Sequence, residues 1–159
     1  MVVAADIAMQ IVTWLLVIAG WLVLSDQQES REFSKHVSQR LTNLRQDLLR
    51  IEALAKAHHT SGYQIASVQE IIGLLGAFSE ELAFLRKSGV VGLSTVELVA
   101  VFRKAVSSKN MDESTYLPEA VDGDLIISIL SARQVLDREL LDQSRSVWNR
   151  SCLSPTWAA

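Results

Sequence analysis

Hydrophobic and polar positions divide the chain into two regimes. Residues Ile7–Leu24 (IAMQIVTWLLVIAGWLVL) are apolar on every side, with Gln10 and Thr13 the polar exceptions and Asp6 and Asp26 bracketing the run. From Asp26 onward, apolar residues return every third or fourth position and charged residues fill the gaps. The first regime predicts a helix with apolar surroundings on all sides. The second predicts amphipathic helices that each bury one stripe.

At about 1.5 Å per residue, Ile7–Leu24 spans about 27 Å, close to the roughly 30 Å hydrocarbon core of a bilayer. A carboxylate at the bilayer centre costs about 2.5–3.5 kcal/mol, so Asp6 and Asp26 mark the limits of the run. Trp21 falls near the C-terminal interface, where indoles favour headgroup depth. A cleaved signal peptide needs a basic leader and a small-x-small cleavage site. Residues 1–6 hold no Lys or Arg, and Leu22–Ser25 offers no such site. The run therefore predicts a retained transmembrane helix. Arg31, Lys35 and Arg40 follow it and no cation precedes it. The positive-inside rule then puts the N-terminus outside the inner (plasma) membrane and the C-terminal part in the cytoplasm.

Within residues 26–59, Val37, Leu41, Leu44, Leu48, Ile51, Ala55 and His58 alternate by four and three, which is a heptad seam. Leu54 widens the stripe toward the form seen in a globular bundle. No Gly or Pro falls between Leu22 and Gly62, so anchor and seam read as one continuous rod. The seam is expected to pair with later helices of the same chain rather than with a second chain.

Thr60–Tyr63 reads as a turn, with Gly62 as the helix stop. Gln64–Lys87 continues the four-three spacing through Ile71, Leu75, Phe78, Leu82 and Leu85. Its middle, Ile71–Phe78, is apolar all round and too short to span a bilayer, so it predicts a central buried helix. Gly73 and Gly76 there suggest close backbone approach, since each costs about 1 kcal/mol of helix propensity against Ala. Ser88–Leu93 reads as a loop. Ser94-Thr95-Val96-Glu97 has the form of a capping box for a short helix reaching about Val106. The polar stretch Ser107–Tyr116 predicts a mobile, protease-sensitive loop. A last helix is expected from Pro118 or Asp124 to Trp148, with Ile126, Ile129, Ala132, Leu136, Leu140 and Val147 as its core positions.

The expectation is an all-α protein: one N-terminal transmembrane helix, then an antiparallel bundle of three long helices and one short one. The divisions are 1–25 for tail and anchor, 26–148 for the bundle and 149–159 for a disordered tail. At 159 residues and net charge −3, the chain has no global basic field for nucleic acid. The single Cys152 excludes an internal disulfide and a CxxC metal site.

Candidate chemistry is sparse. His58-His59 are adjacent on a helix, about 100° apart, and cannot serve one metal from one face. At a helix C-terminus they read as cations meeting the negative dipole end. Glu80-Glu81 and Asp137-Arg138-Glu139 read as solvated faces beside basic residues. No HExxH, ExxH, GxSxG or Walker loop occurs. No catalytic residue, metal ligand or cofactor site is assigned, and no small-molecule substrate is evident. The row Arg31, Lys35, Arg40, Arg45, Arg50 reads either as lipid-headgroup contacts or as ordinary i,i+4 pairing.

Gly20-Trp21, Arg31-Glu32 with Lys35, then Leu44, Ile51-Glu52, Leu54-Ala55 and His58 resemble a group of small bacterial membrane proteins. Those proteins begin with one transmembrane helix ending in Gly-Trp and continue into a basic helix containing Arg-Glu. The resemblance covers roughly the first 60 residues. It implies an anchored cytoplasmic helical domain and carries no active site. The functional expectation is a non-enzymatic, membrane-anchored interaction or scaffold protein. Its partners would be the bilayer and a protein, or a second copy, met through the 33–58 helix. The alternative is a phage-type lysis or exclusion factor whose anchored coiled coil lies in the periplasm.

Overall fold

The computed structural model describes residues 2–153, and of these not the side chains of residues 2–9, 11, 26, 27, 30 and 148–153. Four α-helices and one 3₁₀ turn make up the described chain: α1 (Val2–Ser61), α2 (Ile65–Lys87), α3 (Leu93–Ser107), the 3₁₀ turn Glu113–Thr115 and α4 (Asp124–Leu153). The protein is all-α, and its helices pack as a bundle.

α1 is a single helix of 60 residues. At about 1.5 Å per residue it is about 90 Å long. Nothing in its middle can break it, because no Gly or Pro lies between Gly20 and Gly62. Its C-terminal half is the spine of the bundle. Val37, Leu41, Leu44, Leu48, Ile51 and Ala55 are all buried, and the seam is covered by the chain's own helices. Fully burying one such leucine contributes about 1.5–3 kcal/mol.

Side-chain ties fix the directions. Arg40 pairs with Glu81 at 2.7 Å and Arg50 with Glu70 at 2.6 Å, so α2 runs antiparallel to α1. Ser38 meets Ser144, Arg45 meets Asp137, and Arg133 meets Glu52, so α4 is antiparallel to α1 as well. Arg45 holds the Asp137 carboxyl from two nitrogens, at 2.6 and 3.2 Å. That guanidinium keeps the Asp137 carboxyl below its ordinary value of 3.8. Its contribution is complete above that value and is lost as pH falls below it.

Three expectations change here. First, α2 is not the central helix. Ile71, Leu75, Phe78, Leu82 and Leu85 are buried, but Ile72 is exposed and so are Gly73 and Gly76. A Cβ on either glycine would meet nothing within 4 Å, so no backbone approaches closely there. Second, Ser94 and Glu97 form no capping box. α3 begins earlier, with Gly92 at its N-cap and no side-chain cap. The Ser94 and Thr95 hydroxyls instead donate to Glu139 on α4, at 3.3 and 3.2 Å. Third, α4 continues as helix to Leu153, past the expected start of an unstructured tail. Residues 154–159 lie outside the described residues.

The link from α2 to α3 is tight. Val90 N–H donates to Leu85 O and Gly89 N–H to Arg86 O, the paired bonds of a Schellman ending. Gly89 takes the positive φ of +71° that this ending requires.

Before the spine enters the bundle, α1 is bare. Val12, Trp14, Leu15, Leu16, Val17, Ile18, Trp21, Leu22, Val23 and Leu24 are all exposed. Among the described residues no helix is long and apolar enough to cross a membrane. The expected anchor Ile7–Leu24 falls partly outside them: the side chains of Ile7–Met9 and Ile11 are not described. Residues 12–25 alone fall short of the roughly 17–25 residues a span needs.

The seam's phase is testable at two neighbours. Leu48 is wholly buried and Leu49 is half exposed. Leu48→Ala is expected to cost about 2–5 kcal/mol and Leu49→Ala to stay within about 0.5 kcal/mol. Thermal unfolding of the full chain, followed by far-UV ellipticity, checks both. Equal losses would mean that the seam is wrongly phased.

Candidate functional site

The densest polar arrangement lies where α1 ends. His58 and His59 are 2% and 0% exposed, deeper than any ionisable side chain on the bundle surface. His59 Nε2–H donates to the Val106 carbonyl at 3.1 Å, and His58 Nε2–H to the Asn110 carbonyl at 2.8 Å. A carbonyl only accepts, so each Nε2 carries a proton. Neither Nδ1 has a hydrogen-bond partner.

The last carbonyls of α1 are satisfied in return. The Tyr116 hydroxyl donates to His58 O at 2.7 Å and accepts from Gly62 N–H at 2.9 Å. Glu119 N–H donates to His59 O at 2.8 Å. Gly62 reaches this position at φ +122°. The rings of His58, Tyr63 and Tyr116 meet edge to face, with centroids 5.6–6.0 Å apart. Edge-to-face pairs of this kind are worth about 0.5–1.5 kcal/mol beyond the area they bury.

Asn110 anchors the connecting segment. It is buried and sits at φ +61°, a backbone region that Asn tolerates better than most residues. Its side chain donates to Leu117 O at 2.6 Å and accepts from Leu117 N–H at 2.9 Å. The expected mobile loop over Ser107–Tyr116 is therefore a tied one, with Asp112, Glu113 and Ser114 left exposed at its tip.

Burial at the end of α1 disfavours the cationic form expected of His59. Burial pushes the His59 pKa below its usual 6.5, and the Val106 carbonyl offsets this only in part. The repulsion of His58 lowers it further, and the Glu119 carboxylate acts the other way. Among the described residues no group of three His, Cys, Asp or Glu side chains stands ready for a metal. The arrangement works as a lock between the ends of α1 and α3.

Of the candidate carboxylate clusters, Glu80 and Arg138 are exposed as a solvated face would be, and the other three members are not left to solvent. Glu81 binds Arg40 and Asp137 binds Arg45. Glu139 accepts from Ser94, Thr95 and Gln143. Arg40 also lies over the Phe84 ring, 4.5 Å from its centroid. The basic row thus splits: Arg40, Arg45 and Arg50 reach across to other helices, and Arg31 and Lys35 remain exposed beside the bare part of α1. Cys152 lies outside the described side chains. Tyr63, Tyr116 and Asn110 carry no local signal in the sequence, because only the fold brings them to His58.

Compared with known protein families, with curated proteins and with solved structures, the chain gives no match in any of the three.

The lock has a pH signature. Because the folded pKa of His59 lies below the unfolded value, the unfolded chain takes up a proton that the folded chain refuses as pH falls through 6.5. Stability is therefore unaffected by this group above about pH 7.5 and declines below about pH 6.5. Unfolding midpoints of the full chain across pH 5–8 should show that decline, and His59→Gln should flatten it. A decline of equal slope in the variant would assign it to other groups.

Proposed function

We propose that the chain is a membrane-anchored helical interaction or scaffold protein. The run Ile7–Leu24 sits in a bilayer, and the bundle stands in the cytoplasm at the end of the same helix. The observation that carries this reading is the bare stretch of α1. Ten large apolar side chains between Val12 and Leu24 are 45–69% exposed, on all sides of one helix. Soluble monomers rarely present a contiguous apolar surface of this kind, and a hydrocarbon environment accounts for it.

The flanking charges favour the orientation. Residues 1–6 hold no cation, while Arg31 and Lys35 are exposed on the bundle side. The Arg31-Glu32 pair following Gly20-Trp21, with its resemblance to anchored bacterial proteins, points the same way. An anchored coiled coil of the lysis-factor kind would need the heptad seam free for a second chain. In this protein α2 and α4 pack along it. That leaves the outer face of the 33–58 helix for a partner, with Phe33 and Leu49 exposed on it.

Two arginines at the centre of the run would cost about 2.5–3.5 kcal/mol each in a bilayer. The natural chain is therefore expected to stay in the membrane pellet through alkaline carbonate extraction, and Leu16→Arg with Val17→Arg to move to the supernatant. Recovery of the natural chain in the supernatant would sink the anchor. For orientation, a C-terminal fluorescent-protein fusion should be bright and a C-terminal phosphatase fusion inactive. The opposite pattern would place the bundle in the periplasm.

A further inference from the structure

The helices form a ring of four seams, and the seam between α2 and α3 is the least closed. It opens as a groove of about 450 Å³ floored by Leu82, Val96 and Val99. The Ser79 hydroxyl in its wall is already spent on Leu75 O, at 2.7 Å. Three cations, Arg86, Lys87 and Arg103, line it and no carboxylate does. Their side chains are exposed and make no ion pair among the described residues. Arg86 and Lys87 gain something from the negative end of α2, where they form its last turn. Arg103 stands ahead of the last turn of α3 and gains nothing comparable.

Elsewhere in the bundle, arginines beside an interhelical seam are paired: Arg40, Arg45, Arg50 and Arg133 each hold a carboxylate of another helix. The α2–α3 seam has the cations without the carboxylates. Its size suits a small ligand, for which sites run from about 300 to 1,000 Å³.

We propose that the α2–α3 groove binds a single-chain anionic amphiphile. Its hydrocarbon chain lies over Leu82, Val96 and Val99, and its carboxylate or phosphate is held by Arg86, Lys87 and Arg103. The site is built by α2 and α3 alone, so it deepens the membrane reading without depending on which way the anchor faces. Guanidinium groups suit either headgroup, because their planar fork matches both carboxylate and phosphate oxygens.

The test uses the full chain in vesicles of neutral phosphatidylcholine with a photoactivatable diazirine-bearing palmitate, read by mass spectrometry of the labelled peptides. Label is expected within residues 79–103. Oleate or oleoyl lysophosphatidate should displace it and oleyl alcohol should not, and whichever acid displaces better names the headgroup. Ala83→Trp with Ala100→Trp fills the groove at two exposed positions and should abolish the label. Arg86→Ala with Lys87→Ala and Arg103→Ala should cut the preference for acid over alcohol by about tenfold or more. Label confined to residues 12–24, displacement by the alcohol as strong as by the acids, or label persisting in the tryptophan variant would each overturn the proposal. Flotation of the same vesicles scores bilayer association separately. Groove label without flotation counts against the anchor alone, and flotation without groove label counts against the amphiphile site alone.

Discussion

A helix that stops inside a protein leaves carbonyls with no intrahelical donor, and α1 and α3 stop against each other. Water cannot serve these groups once they are buried, so the chain has to supply donors from nearby. It does so reciprocally. The imidazoles at the end of α1 serve the Val106 carbonyl in the last turn of α3 and the Asn110 carbonyl just beyond it, and the segment after α3 serves the carbonyls of α1 through Tyr116 and Glu119. Leaving one such group unmet in the interior costs about 1–3 kcal/mol. The exchange fixes where α1 terminates and where the chain re-enters the bundle toward α4.

From that end the bundle is laid out along α1 by charge and filled by hydrocarbon. The two kinds of interaction do different jobs, and their magnitudes show it. Partly exposed ion pairs such as Arg40–Glu81 and Arg50–Glu70 are worth about 0–1 kcal/mol each. The buried leucines of the seam each contribute more. The leucine stripe would tolerate sliding by a heptad, since the seam repeats. The arginines do not repeat in the same way, and together with Glu52–Arg133 they select one antiparallel register for α2 and α4.

What was legible in the sequence was what repeats locally. The stripe from Val37 to His58 and the stripe from Ile71 to Leu85 follow from spacing alone, and Gly62 stands where the chain has to turn. Local pattern failed where the partner lies far along the chain. Ser94 and Glu97 have the spacing of a cap, but Glu139 on another helix captures the hydroxyls. Glu81 and Asp137 look solvated beside their sequence neighbours and meet their arginines only after folding. The all-round apolarity of Ile71–Phe78 does not reveal that one side stays uncovered. Nor does any single stretch announce the α2–α3 groove, because its floor and its cations come from two helices that scarcely touch.

The continuity of α1 has a geometric consequence. With no hinge between Trp21 and Ser61, turning the bare end about its axis turns the bundle by the same angle. One residue inserted between positions 25 and 33 would rotate the bundle by about 100° and displace it by about 1.5 Å. Four would displace it by about 6 Å and bring it back to within about 40° of its starting azimuth. The number of residues between the bare segment and Val37 thus acts as a phase setting. It decides whether the open α2–α3 seam or the outer face of α1 is turned toward a neighbour standing on the same surface.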